Sequence, residues 1–402
     1  MTPPRILIIG AGITGAAVSR YLTNILPTTA LQLTVWESQS NIGGRMHDHK
    51  YTHDSSVRCD LGAQYISRDV NGRGYDNEIY CTLEHAGVLL QLKDNSQISG
   101  MRPEHLSGKH FIAPSGTSSI VSFFLSNVVV HKSTALIDLQ LTDSGGIQAT
   151  DQEGRHSEYD IVVITAPAPN VLKILEYSRL KASISRPCDT SLSVPDDIAE
   201  RLGRVSYSSR FALAIYYRLS PEEKELVLGS VPWKAKYVLD DDVVRYVSIE
   251  NFKYEQTDSK TAAHACVSKT AEHYLLSVLV HTSVPFGLAH MELLQTVHSA
   301  IAVDTSSVLD EEKDRVVEVI MAHVIKENVL PVLAQFVPES VRLVGWEQSQ
   351  GHRAGPGTQS PLPLLVLAGD AFTESNFDGC LRSAKYAAKA IVQAIRSREP
   401  VR

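Results

Sequence analysis

The chain has little that would staple it, anchor it or repeat it. It carries five cysteines, Cys59, Cys81, Cys188, Cys266 and Cys380, with no Cys-x-x-Cys pair among them. An odd number without paired spacing fits a disulfide framework poorly and points to a reducing compartment. No apolar run nears the roughly 18 residues that a membrane-spanning helix needs. Positive charge is not in excess: 38 Lys and Arg stand against 45 Asp and Glu, a net charge of -7, so the basic footprint of a nucleic-acid surface is missing. No repeat or low-complexity tract interrupts the 402 residues. Neither Gly-x-Ser-x-Gly nor His-Glu-x-x-His occurs, which leaves hydrolase chemistry without footing. What remains, 43% hydrophobic and 21% charged, is the composition of a globular chain with room for two domains.

At the N-terminus Arg5 precedes the apolar run Ile6-Leu7-Ile8-Ile9, the order in which a secretory signal begins. The run is too short for one and leads straight into glycines that a folded domain needs, so it reads as a retained first strand of a cytoplasmic protein. A continuous apolar run also suits a strand buried on both faces of a parallel sheet. Thr14 to Leu26 reads as a helix ended near Pro27, and Leu31, Leu33 and Val35 alternate as a second strand. Further strands are expected over Asp160–Thr165 and Leu364–Ala368, then a helix from about Cys380 to Ile395. Between them, Arg210–Arg218, Val243–Glu250 and Tyr274–Thr282 read as strands, Ser259–Thr270 as a polar insertion, and Asp310–Val329 as a charged helix stopped by Pro331. This pattern predicts an α/β chain. Residues 1–75, 110–170 and 340–402 form a Rossmann-type nucleotide-binding domain, and 76–109 and 171–339 an inserted mixed-sheet substrate domain.

Gly10-Ala11-Gly12-Ile13-Thr14-Gly15 follows the first strand and opens the first helix, and Glu37 stands 22 residues beyond Gly15. Each part has a task in dinucleotide binding. Gly10 makes the tight turn, Gly12 lets the backbone approach a pyrophosphate, and Gly15 lets helix and strand pack closely. The helix N-terminus offers free N–H groups to the phosphate charge, and Glu37 can accept hydrogen bonds from ribose hydroxyls.

Gly43-Gly44-Arg45-Met46 resembles the Gly-Gly-Arg segment of flavin-containing amine oxidases, which implies FAD, with Arg45 reaching its pyrophosphate. Gly369-Asp370 at the end of a C-terminal strand matches the place where those proteins bond the ribityl chain. Asn376, Phe377 and Asp378 then open the last helix, whose amides can face the electron-rich edge of a reduced flavin. Asp378 can equally be a plain helix cap, and Cys380 reads as a small buried residue, so the FAD is expected to be non-covalent.

The resemblance then becomes specific to the renalase family and runs through most of the chain. It rests on Gly10–Gly15, Gly43–Met46, Asp60-Leu61-Gly62-Ala63-Gln64-Tyr65, Ala113–Gly116, Ser206–Arg210, His281–Gly287 and Asn376–Cys380. It implies a p-hydroxybenzoate-hydroxylase-like fold and an oxidase acting on the 2- and 6-dihydro isomers of NAD(P)H, with O2 reduced to hydrogen peroxide. Gln64 and Tyr65 match the family's flavin-contacting pair, and Thr14 and Arg45 match FAD contacts. Tyr65, Tyr207, Arg210, His281 and Phe286 are candidates for the substrate pocket, though each could serve the core instead. No catalytic acid or base stands out, as expected for hydride transfer. The chain departs from the family in length near Lys173–Glu200, Ser259–Thr270 and Ser299–Asp310, stretches expected at the surface.

His47, His49 and His53 lie close together without a recognised ligand spacing, so no metal is expected. Partners are expected to be the dinucleotide substrate and O2, with no nucleic acid and no membrane, on a monomer. Three alternatives stay open: a flavin monoamine oxidase, a secreted signalling protein using the fold as scaffold, and an NADPH-using hydroxylase.

Overall fold

The computed structural model describes residues 3–68, 77–185, 196–255, 273–294, 307–351, 359–362 and 365–397. In chain order, the elements that position the site begin with β1 (Arg5–Ile9), α1 (Ile13–Ile25), β2 (Gln32–Trp36), β3 (Ile98–Ser99), β4 (Val129–His131), β5 (Ile161–Ile164), α2 (Ala168–Ser185) and α3 (Asp196–Gly203). There follow β6 (Tyr207–Leu219), β7 (Ala235–Tyr237), β8 (Val244–Ile249), β9 (Tyr274–Thr282), α4 (Val284–Ala289) and α5 (Ser307–Val324). Last come β10 (Ser340–Gly351), β11 (Gln359–Leu362), β12 (Leu365–Leu367) and α6 (Phe377–Ser397).

Ile6, Leu7 and Ile8 are fully buried because β1 is the inner strand of a six-stranded sheet ordered β11-β12-β5-β1-β2-β4. All its pairings are parallel except β11 with β12. One face packs Ile6, Ile8 and Val163 against α1 and α6 through Ala16, Ala17, Leu381, Ala384 and Ala388. The small residues on both helices let them lie close across the sheet. The other face packs Leu7, Ile9, Val162 and Ile164 against α2 and α3. This double covering is why the strands read as unbroken apolar runs rather than alternating ones.

The second large sheet is ordered β10-β6-β9-β8-β7-β3, antiparallel except between β7 and β3. One face buries Phe211, Leu213, Val278 and Val280 against Leu294, Val316 and Ile320. The other packs Ala212, Ala214, Tyr216, Tyr246 and Leu279 against Tyr51, Cys59 and Leu61, which belong to the hairpin of Asp48–Tyr51 and Asp54–Asp60 and the loop after it. The α/β expectation therefore holds, with a Rossmann-type sheet drawn from both ends of the chain and a mixed sheet between.

The expected boundaries shift where long-range pairing decides them. β10 belongs to the second sheet, since Arg210 to Tyr216 pair with Trp346 to Ser340, so residues 340–351 leave the nucleotide-binding part. Residues 171–203 join that part instead: Leu175, Ile198 and Leu202 are buried against Leu7 and Val162. Of the stretch Lys173–Glu200, residues 173–185 and 196–200 lie on two helices that cover the sheet, and residues 186–195 lie outside the described residues. α5 ends at Val324 rather than near Pro331, because the chain turns there and Leu330 N–H takes the Val324 carbonyl at 2.9 Å. Pro331 instead starts a short 3-10 turn, Pro331–Gln335. Ser259–Thr270 lies outside the described residues, as do residues 299–306.

Candidate functional site

β1 delivers the chain to Gly10, whose φ of +101° only glycine adopts cheaply. Its N–H bonds to the Trp36 carbonyl at 2.8 Å, which locks the turn onto β2. At Gly15 a Cβ would collide with the Gly10 carbonyl oxygen and lie 3.1 Å from Thr165 Oγ1, so this glycine serves close packing. Gly12 is different. Nothing comes nearer to a Cβ placed there than the Gly43 carbonyl at 3.9 Å.

Gly43 N–H bonds to the Ala11 carbonyl at 2.9 Å, and Gly12 and Gly43 form an isolated parallel bridge. Gly43 and Gly44 both have positive φ, +121° and +55°. A Cβ on Gly44 would lie 3.5 Å from Gly12 Cα, so the two glycine loops abut with no side chain between them. No side chain caps α1 at Gly12. The result is a backbone-lined cradle at a helix N-terminus with uncapped N–H groups, and it fits a pyrophosphate. Glu37 is buried beside it, with Oε2 accepting from Ala11 N–H at 2.8 Å and Oε1 from Gln39 N–H at 2.9 Å. Oε1 also takes the Ser38 hydroxyl at 3.3 Å, while Oε2 keeps a further lone pair, which is what a ribose hydroxyl requires.

Arg45 and Asp370, 325 residues apart, meet in a two-armed ion pair of 2.6 and 2.7 Å. Ser375 Oγ adds a hydrogen bond to Asp370 at 2.8 Å. Burial pushes the Asp370 carboxyl upward, but Arg45 and Ser375 outweigh it and hold the group below its ordinary range. Gly369, at φ +145°, turns the chain into this position, and its N–H is held by Ser383 of α6. At the start of α6, Asn376 Oδ1 takes Gly379 N–H at 2.7 Å and is the cap. Asp378 accepts instead from the Tyr80 hydroxyl at 2.9 Å, so the capping reading moves from Asp378 to Asn376. Phe377 packs edge-on against Tyr80 in the core. Burial pushes the Cys380 thiol up to about 11, with Asp370 adding to the rise and Arg45 and Thr14 opposing it; a protonated thiol is a poor nucleophile. Thr14 is buried on α1 beside Cys380 of α6.

The loop after Asp60 carries the second wall. Ala63 N–H bonds to the Arg45 carbonyl at 3.0 Å and Gly62 N–H to the His47 carbonyl at 3.1 Å, so Arg45 and the Gln64-Tyr65 pair share one scaffold. The Tyr65 and Tyr237 hydroxyls lie 2.6 Å apart, Tyr237 stacks edge-on with Tyr246, and Tyr246 with His281. Gln64 closes the ring, its amide nitrogen 3.1 Å from His281 Nδ1. His281 Nε2 lies 3.1 Å from the Leu61 carbonyl, which assigns the proton to Nε2. Burial first, then the nearby Arg210, lowers His281 to about 3, so it is neutral. Burial likewise raises the Tyr65 and Tyr237 phenols above their ordinary range.

Beneath this loop lies a buried ion network that was not anticipated. Lys253 Nζ is 2.7 Å from Asp60 Oδ2 and 2.8 Å from Glu250 Oε2. Glu250 also takes Asp60 N–H and the Ser248 hydroxyl, and Asp60 takes Thr117 N–H. Burial pushes Asp60 up to about 6, against the pull of Lys253.

The sequence candidates therefore divide. Gly10, Gly12, Gly15, Glu37, Gly44, Arg45, Gly369, Asp370 and Asn376 assemble around one cradle; Gln64, Tyr65 and His281 line one wall. Tyr207 goes to the cradle side, where its hydroxyl takes Ala168 N–H at 3.1 Å and its ring lies by Asp370 and Arg45. Phe286 packs on Phe211 and His290 in the core of the second sheet and does not line the wall. His47, His49 and His53 part company as well: His47 meets Trp346, His49 bonds the Tyr216 hydroxyl, and His53 meets Tyr51. Among the described residues, the group that gathers three metal-type ligand atoms is Asp241, Asp242 and His323, and Lys326 is bonded into it. Tyr237, Tyr246 and the Asp60–Lys253–Glu250 network were missed. Asp60 stood in the Asp60–Tyr65 segment without a role assigned to it, and the others had only the strand character of the segments around them as a signal.

Residues 8–76 match the family model of the NAD(P)-binding Rossmann-like domain. Among curated proteins, renalase from Mus musculus is 29% identical over 398 residues, covering 97% of this chain and 99% of its own. Polyamine oxidase 4 from Oryza sativa subsp. japonica is 37% identical over 67 residues, 16% of this chain. Among solved structures, one described as a protoporphyrinogen oxidase from Exiguobacterium sp. 255-15 superposes with a TM-score of 0.62 at 12% identity, covering 98% of this chain and all of that one. A redesigned putrescine oxidase gives 0.60 at 12% identity, covering 97% of this chain and 99% of its own. At such identity these two speak for the fold alone. The likeness to renalase runs along nearly the whole chain, and the two solved structures share the fold.

Proposed function

We propose that the protein is an FAD-dependent oxidase that converts 2- and 6-dihydro isomers of NAD(P)H to NAD(P)+, with one O2 and one proton consumed and one hydrogen peroxide released per turnover. Gly10 to Gly15, Glu37, Gly44, Arg45, Asp370 and the start of α6 would hold the FAD, without a covalent bond. The bound flavin would supply the hydride acceptor and the route of electrons to O2.

The observation that carries the reading is the character of the wall formed by Gln64, Tyr65, Tyr237 and His281. It is polar and aromatic, yet burial keeps the imidazole neutral and the phenols protonated. A dihydropyridine loses hydride with push from its own ring nitrogen, so the wall has only to hold the ring flat and close. Positioning of that kind can lower a barrier by several kcal/mol when the reacting atoms are held about 3–3.5 Å apart. Amine oxidation finds less support. Lys253, the buried lysine of this region, has both carboxylate partners in place, which leaves it poorly suited to hold a water for that chemistry.

Anaerobic mixing of the FAD-loaded protein with a substrate panel tests the proposal. Fast bleaching of the flavin by 6-dihydroNAD, and not by simple amines or by ordinary 4-dihydroNADPH, is expected. Bleaching by an amine at a comparable rate would overturn it in favour of a monoamine oxidase.

A further inference from the structure

Three arginines from three separate segments lie near enough to Tyr237 to act on its phenol. Arg210 stands in β6 just after a register shift between Ser208 and Arg210, and Arg245 stands in β8 inside a second shift between Val244 and Tyr246. Bulges of this kind re-aim side chains that a regular strand would send elsewhere. Arg102 arrives from the sheet edge. β3 pairs with β7, and Gly100, at φ +70°, lies so close to Tyr237 that a Cβ there would fall 2.7 Å from its carbonyl oxygen. Gly287 of α4 packs directly on the Ser209–Arg210 backbone, where a Cβ would meet Arg210 Cα at 2.8 Å, and so fixes the Arg210 strand from behind. All three guanidinium groups act on the Tyr237 phenol, pulling it down against the stronger effect of burial.

Among the described residues these charges have no counter-ion, and Arg210 Nε is buried with no hydrogen-bond partner. Arg245 Nη1 donates to the Val238 carbonyl at 3.2 Å. Among the described residues none of the three is paired with a carboxylate. The nearby Asp241 is engaged by Val243 and Val244 N–H, His323 and Lys326, and the Asp242 side chain is exposed. Burial, reinforced by the field of Arg245, holds Arg210 below its ordinary range. Like charges placed together without counter-ions are costly, and a bound anion would relieve that cost.

We propose that Arg102, Arg210 and Arg245 form an anion subsite that takes a phosphate of the substrate's dinucleotide tail while its ring lies against Gln64 and Tyr65. The subsite deepens the function proposed above and rests on it. It gives the pocket a physical means of selection, since three guanidinium groups attract a phosphate ester and repel an ammonium ion.

The test uses the FAD-loaded protein and two dihydronicotinamides of the same ring isomer, one the full dinucleotide and one an N-methyl compound without phosphate. The quantity read is the ratio of their second-order rate constants for anaerobic flavin reduction. Arg102→Gln, exposed at a sheet edge and so expected to fold, and Arg210→Gln should each lower that ratio by roughly 10- to 100-fold, the worth of one charge-assisted hydrogen bond. Arg210→Lys should fall in between. Rising salt should lower the ratio in the parent and less in the variants. An unchanged ratio in well-folded variants would overturn the proposal. Binding of ADP-ribose, followed by its perturbation of the flavin spectrum, separates the two claims. If no dihydronicotinamide bleaches the flavin yet ADP-ribose binds through Arg210, the subsite stands and the assigned reaction fails. If the isomers react but ADP-ribose binds equally to parent and variants, the subsite fails and the reaction stands.

Discussion

At Gly12 a side chain would meet open space, whereas at Gly15 it would meet the Gly10 carbonyl, so two glycines of one motif serve different ends. Gly12→Asp should fold, and an aspartate there is even a favourable cap for α1. Its charge sits where the pyrophosphate would lie, so the purified variant should lack the flavin absorption bands while keeping its circular dichroism. Gly15→Ala should act the other way, forcing β1 and α1 apart at a cost of about 1–3 kcal/mol in urea unfolding, as overpacked cores do. The motif could be read from sequence because its parts are neighbours in the chain. Which glycine served packing and which faced a ligand was also legible there, since the strand-turn-helix geometry assigns the roles.

Histidine protonation gives a second prediction at this scale. Burial lowers His281 to about 3 and His49 to about 4, both far below the unfolded value near 6.5. A group depressed in the folded state gives stability that is whole above the unfolded pKa and is lost as pH falls below it. Asp60, raised to about 6, works in the opposite sense between pH 6 and its unfolded value, but it is one group against two. The melting temperature should therefore fall as pH is taken from 7 to 5. In a His49→Gln, His281→Asn variant that slope should flatten, whatever the variant's absolute stability. A slope unchanged by the double substitution would show that other groups control acid unfolding.

Among the elements, the Asp60–Lys253–Glu250 network joins the hairpin of the first region to the segment after β8 in the second. Lys253→Met would leave two carboxylates buried without their cation, at about 3–5 kcal/mol. Lys253→Met combined with Asp60→Asn and Glu250→Gln should lose less than Lys253→Met alone, and equilibrium unfolding of the two variants checks this. Glu250 and Lys253 are three residues apart, but nothing in the sequence could have paired them with Asp60, which tertiary packing brings in across 190 positions. The same limit explains the misplaced boundaries. The strand character of β6, β8 and β9 was legible from Val, Ile and Tyr enrichment, and β1, α1 and β2 from apolar runs and glycines. Which sheet β10 joined, and whether α2 and α3 covered a core, depended on register and docking that local pattern does not encode. Tyr237, Arg245 and Arg102 meet only because β7 lies between β8 and β3, with a bulge in β8.

For the molecule as a whole, the two ends of the chain close on each other through Arg45 and Asp370, while Gln64 and Tyr65 of the first region and Tyr237 and His281 of the middle meet in the wall the substrate would face. That division was visible in the sequence as two motif clusters separated by a strand-rich insert. The central claim of the proposed function is that the wall would position a dihydronicotinamide and take no proton. His281 is neutral, the wall phenols are held above their ordinary range, and Asp60 remains ionised above about 6. No group of the wall should change charge between pH 7 and 9. The most direct measurement is the limiting rate of anaerobic flavin reduction by 6-dihydroNAD across that interval. The account predicts a rate constant that stays within about twofold, since a tenfold change would need a titrating acid or base in the transition state. A rise of tenfold or more with pH, as a required base or a deprotonating amine substrate would give, would contradict it.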